Sequence, residues 1–336
     1  RSGGSTRRTV VTAAFTHMGS FYDFLANRFG LDSIDGNGMP LVATVRYCES
    51  GDCANVNAYW NGEQGAFWPG MATDDVVGHE FAHGLTEFHS SLAYVYQSGA
   101  INESLSDIFG ELLDLTNGAG TDTAGVRWLM GEDTIVGAIR DMENPPSKGQ
   151  PDRMTSSLYD ADPAFFDNGG VHTNSGVGNK AAFLMVDGGT FNGHTVAALG
   201  VDRAAAIWFH VAVNHLSSGS DYEDLGNALG QACDDLVGGG DDRARHLLLD
   251  HAELGVDGGS GRLHVRDRLD VGVLERAAAD REVLHRPLRL GPPQGVGRDP
   301  DLAHAVVLDA VVGHAPHATQ PGRADTGVRG GGRGRA

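Results

Sequence analysis

The stretch His79-Glu80-Phe81-Ala82-His83, with Asn102-Glu103-Ser104-Leu105-Ser106-Asp107 downstream of it, decides how this chain of 336 residues is read. On a helix, residues four apart share a face, so His79 and His83 can grip one ion together. Two imidazoles and one carboxylate are a common ligand set for catalytic zinc, with a fourth position left for water. Glu80 stands about 100° around the helix from His79, beside such an ion and not on it, which suits a base for the activated water. Glu103 and Asp107 are again four apart, so one can ligate while the other buttresses a ligand histidine. They lie in a segment whose Leu105, Ile108, Phe109, Leu112 and Leu113 form an apolar stripe. Buried acids are costly unless paired or metal-bound. Asp74 and Asp75 put negative charge where a first helical turn favours it. The competing reading is an ordinary amphipathic helix with two surface histidines, facing a salt-bridged stripe.

A different zinc arrangement places a third histidine six residues after the second, with a glycine midway to turn the chain. His89 holds that position, but Thr86 stands where the glycine belongs, and without glycine the sharp turn is hard to make. His89 is therefore expected off the metal, and Glu103 is expected to be the third ligand.

Further motifs run in order along the chain. They include Ser20-Phe21-Tyr22-Asp23-Phe24, Asp35-Gly36-Asn37-Gly38, Asn57-Ala58-Tyr59-Trp60-Asn61-Gly62 and Asp167-Asn168-Gly169-Gly170-Val171-His172-Thr173-Asn174. With these in place, the chain resembles the thermolysin-like neutral zinc metalloproteases from about Gly19 to about Val237. The resemblance implies an α+β, two-lobed fold with the zinc helix at the lobe junction and a mostly helical C-terminal lobe. The β-rich part that precedes Gly19 in the family is expected to be truncated here. It also implies a secreted endopeptidase that hydrolyses peptide bonds with a zinc-activated water and Glu80 as general base. Zinc would be held by His79, His83 and Glu103, with Asp107 buttressing from behind. Tyr94 and His172 would donate to the oxyanion, and Asp167 would orient the His172 imidazole; Tyr96 is a second tyrosine that the spacing disfavours. Asn57 and Ala58 resemble the edge that pairs with substrate backbone. Arg140 resembles an arginine that clamps a substrate carbonyl, the alternative being an ion pair with Asp141 or Glu143. Val76, Met130 and Ile139 would line a primed-side pocket that takes large apolar residues. Asp75, Asp114 and Glu132 match acidic positions of a calcium site. Leu129 and Arg127 stand where further acids would be needed for a second ion, so one calcium is expected.

The formal net charge is -19, and residues 240–336 hold 14 arginines and 14 acidic residues, so all the excess lies before them. This excludes nucleic acid as a natural partner of the main domain. No apolar run reaches the ~18 residues that span a membrane. Peptides or proteins are the expected substrates, and the expected state is a monomer. Cys48 and Cys53 flank a short turn and are expected to close a small disulfide loop, which implies an oxidising compartment; the alternative is two reduced thiols. Four regions are expected. Residues 1–18 are unassigned and disordered, 19–110 form an N-terminal lobe, 111–238 form a mostly helical lobe, and 239–336 form a low-complexity tail. Helices are expected at 19–30, through the two acidic and histidine segments, and near 174–187, 202–217 and 221–237. Two rival functions stand beside the peptidase: an inactive zinc-binding fragment, and a non-enzymatic acidic calcium-binding module.

Overall fold

The computed structural model describes residues 3–48, 53–54, 56–161, 166–238, 255–256 and 263–264. Helix α1 (Gly3–Phe29) opens the chain. Residues 3–18, part of the 1–18 segment expected to be disordered, are thus helical. Ala14 is buried in register with Phe21 and Leu25, so the apolar stripe read from Phe21 onward continues backward through a stretch whose Thr and Arg content hid it. A small sheet follows, of β1 (Ala43–Val45), β2 (Ala58–Trp60) and β3 (Gly65–Phe67). The order is β1-β3-β2, with β1 parallel and β2 antiparallel to β3, which leaves β2 at an edge. Cys48 and Cys53 are joined by a disulfide, with Cα atoms 4.8 Å apart.

Helices α2 (Asp74–Phe88) and α3 (Tyr96–Asn117) pack side by side in the centre. Their closeness depends on glycine. A Cβ on Gly110 would stand 2.5 Å from the Asp75 carbonyl oxygen, and one on Gly78 would stand 3.0 Å from the Gly110 Cα. Phe21 of α1 packs against Phe81 of α2 with ring centroids 6.5 Å apart. Phe81, Leu85, Ile101, Leu105 and Phe109 are fully buried at the heart of the core.

The strand pair β4 (Leu129–Met130) and β5 (Arg140–Asp141) is antiparallel and sets Met130 opposite Arg140. Then come α4 (Asp167–Asn174), α5 (Gly176–Asp187), the hairpin β6 (Gly189–Phe191) and β7 (His194–Val196), and α6 (Val201–His210). A π-helical turn (Val211–His215) extends α6, and α7 (Tyr222–Gly238) completes the helical lobe. Helix α1 also reaches that lobe: Phe29 stacks on Phe209 at 4.1 Å between centroids, and Arg28 pairs with Asp202. The expected disordered tail at 239–336 lies outside the described residues, apart from a short antiparallel pairing of 255–256 with 263–264. Among the described residues, no helix is long and apolar enough to cross a membrane.

Candidate active site

His79 and His83 project from one face of α2, their Nε2 atoms 3.1 Å apart. Glu103 of α3, fully buried, faces both, with Oε2 3.6 Å from His79 Nε2 and Oε1 3.4 Å from His83 Nε2. One ligand atom from each of the three lies within 4.8 Å of the others. Two imidazole nitrogens and a carboxylate oxygen this close fit a zinc ion with an open fourth position.

Both histidines are held from behind. His79 Nδ1 lies 2.9 Å from Asp107 Oδ1. Asn102 Oδ1 sits 2.7 Å from His83 Nδ1, and Ser106 Oγ stands 3.0 Å from the same nitrogen. Thr86 hydroxyl donates to Asn102 Oδ1 at 3.2 Å, so it joins this support while α2 runs straight on through it. His89, beyond that point, meets the Ile34 carbonyl oxygen at 3.1 Å and takes no part in the ligand group. Sequence reading overlooked Asn102, Ser106 and Asn179, whose amide donates to Asp107 Oδ2 at 2.8 Å. Asn102 and Ser106 flank Glu103 and Asp107 one residue earlier on the same helix, which is the signal that could have revealed them.

Burial raises the Glu103 pKa, but His83, His172 and His79 outweigh it and hold the carboxyl well below its ordinary value. Burial works to lower the His83 pKa, and the Glu103 carboxylate overcomes it, so the imidazole titrates at about 9 when only protein surrounds it. Glu80 is buried, and that burial raises its pKa despite the neighbouring histidines.

Arg140 does not pair with Asp141 or Glu143. Its terminal nitrogen donates to Glu103 Oε2 at 2.8 Å, and its Nε lies 2.9 Å from Asp107 Oδ2. The β4–β5 ladder carries it there. The guanidinium therefore ties Glu103, which faces both histidines, to Asp107, which stands behind His79.

Tyr94 hydroxyl bonds to Glu103 Oε1 and lies 3.2 Å from His172 Nε2. The side chain of Tyr96 instead packs beside Gly169. His172 reaches the site because α4 begins with Asp167, Asn168, Gly169 and Gly170 all at positive φ. A Cβ on Gly169 would stand 2.3 Å from the Tyr96 ring, so this tight entry needs glycine there. Asp167 accepts from the His172 backbone N–H at 3.0 Å through Oδ2 and meets its Nδ1 through Oδ1.

These groups share a cleft of about 580 Å³, lined among others by Asn57, Ala58, Glu80, Tyr94 and His172. Val76, Met130 and Ile139 are not on that lining. Val76 of α2 and Met130 of β4 are buried in the core, while Ile139 is exposed.

A second acidic group surrounds Asp75. Asp75 Oδ1 accepts from the Val76 N–H at 2.7 Å, and its Oδ2 accepts from the Gly131 N–H. Burial raises the pKa of Asp75, of Glu111 and, to about 8, of Glu132. Asp114 is pushed to about 11 by burial and by Asp122 beside it. Glu111 Oε2, Asp114 Oδ1 and Glu132 Oε2 are buried without hydrogen-bond partners among the described residues. Oxygen atoms stranded in this way suit calcium. Glu111 is a member the sequence did not reveal. Arg127 turns outward to Asp187, at 2.8 and 3.1 Å.

A zinc-ligand triad on two neighbouring helices, with an acid, a tyrosine and an oriented histidine around one cleft, defines a metallopeptidase-type site. The thermolysin metallopeptidase catalytic domain matches residues 3–87, and the thermolysin metallopeptidase alpha-helical domain matches residues 90–252. The chain belongs to the thermolysin metallopeptidase family. The match extends beyond the 19–237 span read from motifs at both ends. A zinc metalloproteinase of Renibacterium salmoninarum is 42% identical over 231 residues, 66% of this chain and 42% of its own length. A thermolysin of Alicyclobacillus acidocaldarius is 37% identical over 238 residues, 67% of this chain and 41% of its own length. The solved precursor of protealysin, a metalloproteinase from Serratia proteamaculans, superposes with a TM-score of 0.54 at 27% identity, covering 71% of this chain and 76% of that one. The chain spans less than half the length of the curated relatives it matches.

Proposed function

We propose that the chain is a secreted zinc endopeptidase. The observation that carries this reading is the meeting of His79, His83 and Glu103 with Glu80, Tyr94 and His172 around one cleft. Zinc held by His79, His83 and Glu103 would supply Lewis acidity for the scissile carbonyl and for the attacking water. Glu80, its pKa raised by burial, takes the proton of that water and hands it to the leaving amine. The Tyr94 hydroxyl and the His172 imidazole donate to the oxygen that becomes negative, and Asp167 keeps that imidazole aimed. The open edge of β2, with Asn57 and Ala58, pairs with the substrate backbone. Arg140 steadies Glu103 and Asp107 and offers its remaining N–H groups to a substrate carbonyl. Of Val76, Met130 and Ile139, only Ile139 is exposed, and it is the one that would favour apolar residues on the primed side. Asp75, Asp114 and Glu132, with Glu111 joining them, would hold one calcium. The Cys48–Cys53 disulfide supports an oxidising, extracellular setting.

The test is cleavage of a peptide with leucine or phenylalanine after the scissile bond. Activity should vanish with a chelator and return on adding zinc. Cleavage that survives Glu80→Gln would overturn the mechanism. Zinc binding without cleavage would leave the inactive-fragment alternative, and no zinc at all would leave the calcium-binding module.

A further inference from the structure

The helical lobe carries a second group of metal-ligating side chains, none of which lines the catalytic cleft. His210, His215 and Asp235 present ligand atoms that all lie within 4.8 Å of one another, as close as those of His79, His83 and Glu103. On an α-helix, residues five apart point about 140° away from each other. Here the backbone departs from α geometry. The Leu216 N–H bonds to the Val211 carbonyl five residues back, at 3.3 Å. This π turn widens the coil and brings His210 and His215 to one face, with ring centroids 5.1 Å apart. Such turns are rare and concentrate at functional sites.

Asp235 comes from α7. Its Oδ2 lies 3.4 Å from His210 Nε2 and 3.1 Å from His215 Nε2. The outer atoms of Asp235 and His210 are anchored as metal ligands usually are. Gln231 Nε2 donates to Asp235 Oδ1 at 2.8 Å, and the Asn214 amide lies 3.1 Å from His210 Nδ1. His215 Nε2 is buried, and Asp235 Oδ2 is the carboxylate oxygen that faces it. A simple ion pair accounts for one histidine facing this carboxylate. It leaves unexplained why two imidazoles converge on a single carboxylate oxygen. The site is also reachable, since Asp235 is 41% exposed.

We propose that His210, His215 and Asp235 form a second transition-metal site, of the zinc class, that clamps the π turn to α7. Two imidazoles and a carboxylate suit zinc, cobalt, nickel or copper and leave a fourth position for water. The proposal is independent of the catalytic reading.

Elemental analysis of the full chain, stripped with a chelator, re-equilibrated with zinc and desalted, tests it. Wild type should carry about two zinc per chain, and His210→Gln/His215→Gln about one. His79→Ala should lose the catalytic ion and keep the other, so failure of either site is seen separately. Zinc beyond the first equivalent should raise the Tm of wild type and leave that of the double variant unmoved. At one equivalent, the double variant should keep its peptidase activity. The idea is overturned if the double variant holds as much zinc as wild type, or if wild type binds none beyond the His79 site. Should the double variant fail to fold, Asp235→Asn, which keeps the side-chain shape, decides the same question by the same zinc count.

Discussion

His83 illustrates how the site is built from single contacts. Its Nε2 faces Glu103, and its Nδ1 is fixed by Asn102 and Ser106, so the ring has little freedom left. Asp107 does the same for His79. Asp107→Asn is expected to weaken zinc affinity ~10- to 100-fold, read by competition with a chromogenic chelator. Glu80→Gln is expected to lower kcat by ~100- to 10,000-fold while the zinc content stays unchanged. The histidines, Glu80 and Glu103 were legible in the sequence because helical spacing is local information. The partner of Arg140 was not. Asp141 and Glu143 are its neighbours along the chain, yet the strand pairing of β4 and β5 delivers it to Glu103 and Asp107 instead.

The close packing of α2 and α3 is what lets three ligand-bearing positions meet, and it rests on Gly78 and Gly110 having no side chains. Gly110→Ala would push a methyl to 2.5 Å from the Asp75 carbonyl oxygen. The expected result is a loss of ~1–3 kcal/mol of stability in urea unfolding, together with weaker zinc retention as the helices part. Gly125, with nothing within 4 Å, is the control: its alanine variant should stay within about 0.5 kcal/mol of wild type. Most helices could be read from apolar periodicity, including those of the C-terminal lobe. Two features could not. The first half of α1 carries its stripe on widely spaced residues among Thr and Arg, so its burial shows only once Phe21 and Leu25 are docked. The π turn of Val211–His215 has the composition of any helix, and only its i to i-5 bond distinguishes it.

The molecule as a whole is acidic, and the buried carboxyls around Asp75 tie that acidity to stability. Glu132 titrates at about 8 and Asp114 at about 11 in the folded chain, above ordinary values of 4.5 and 3.8. The folded state then binds more protons than the unfolded one across that interval. Stability must fall as pH rises through it. In a calcium chelator, Tm is expected to decline from about pH 5 to about pH 8, and calcium is expected to flatten that decline by holding the carboxylates ionised. Differential scanning calorimetry with and without calcium checks this, and a slope unaffected by calcium would remove the ion from the picture. The edge strand β2 bears on turnover. It is three residues long. If substrate pairs with it as proposed, an extended chain laid along it would gain only a few backbone hydrogen bonds, each worth ~1 kcal/mol net. Once the bond is cut, each half would keep fewer still, so the cleft would empty itself. The same brevity denies a foothold to the exposed strand of another protein, and the open edge does not become a seed for aggregation.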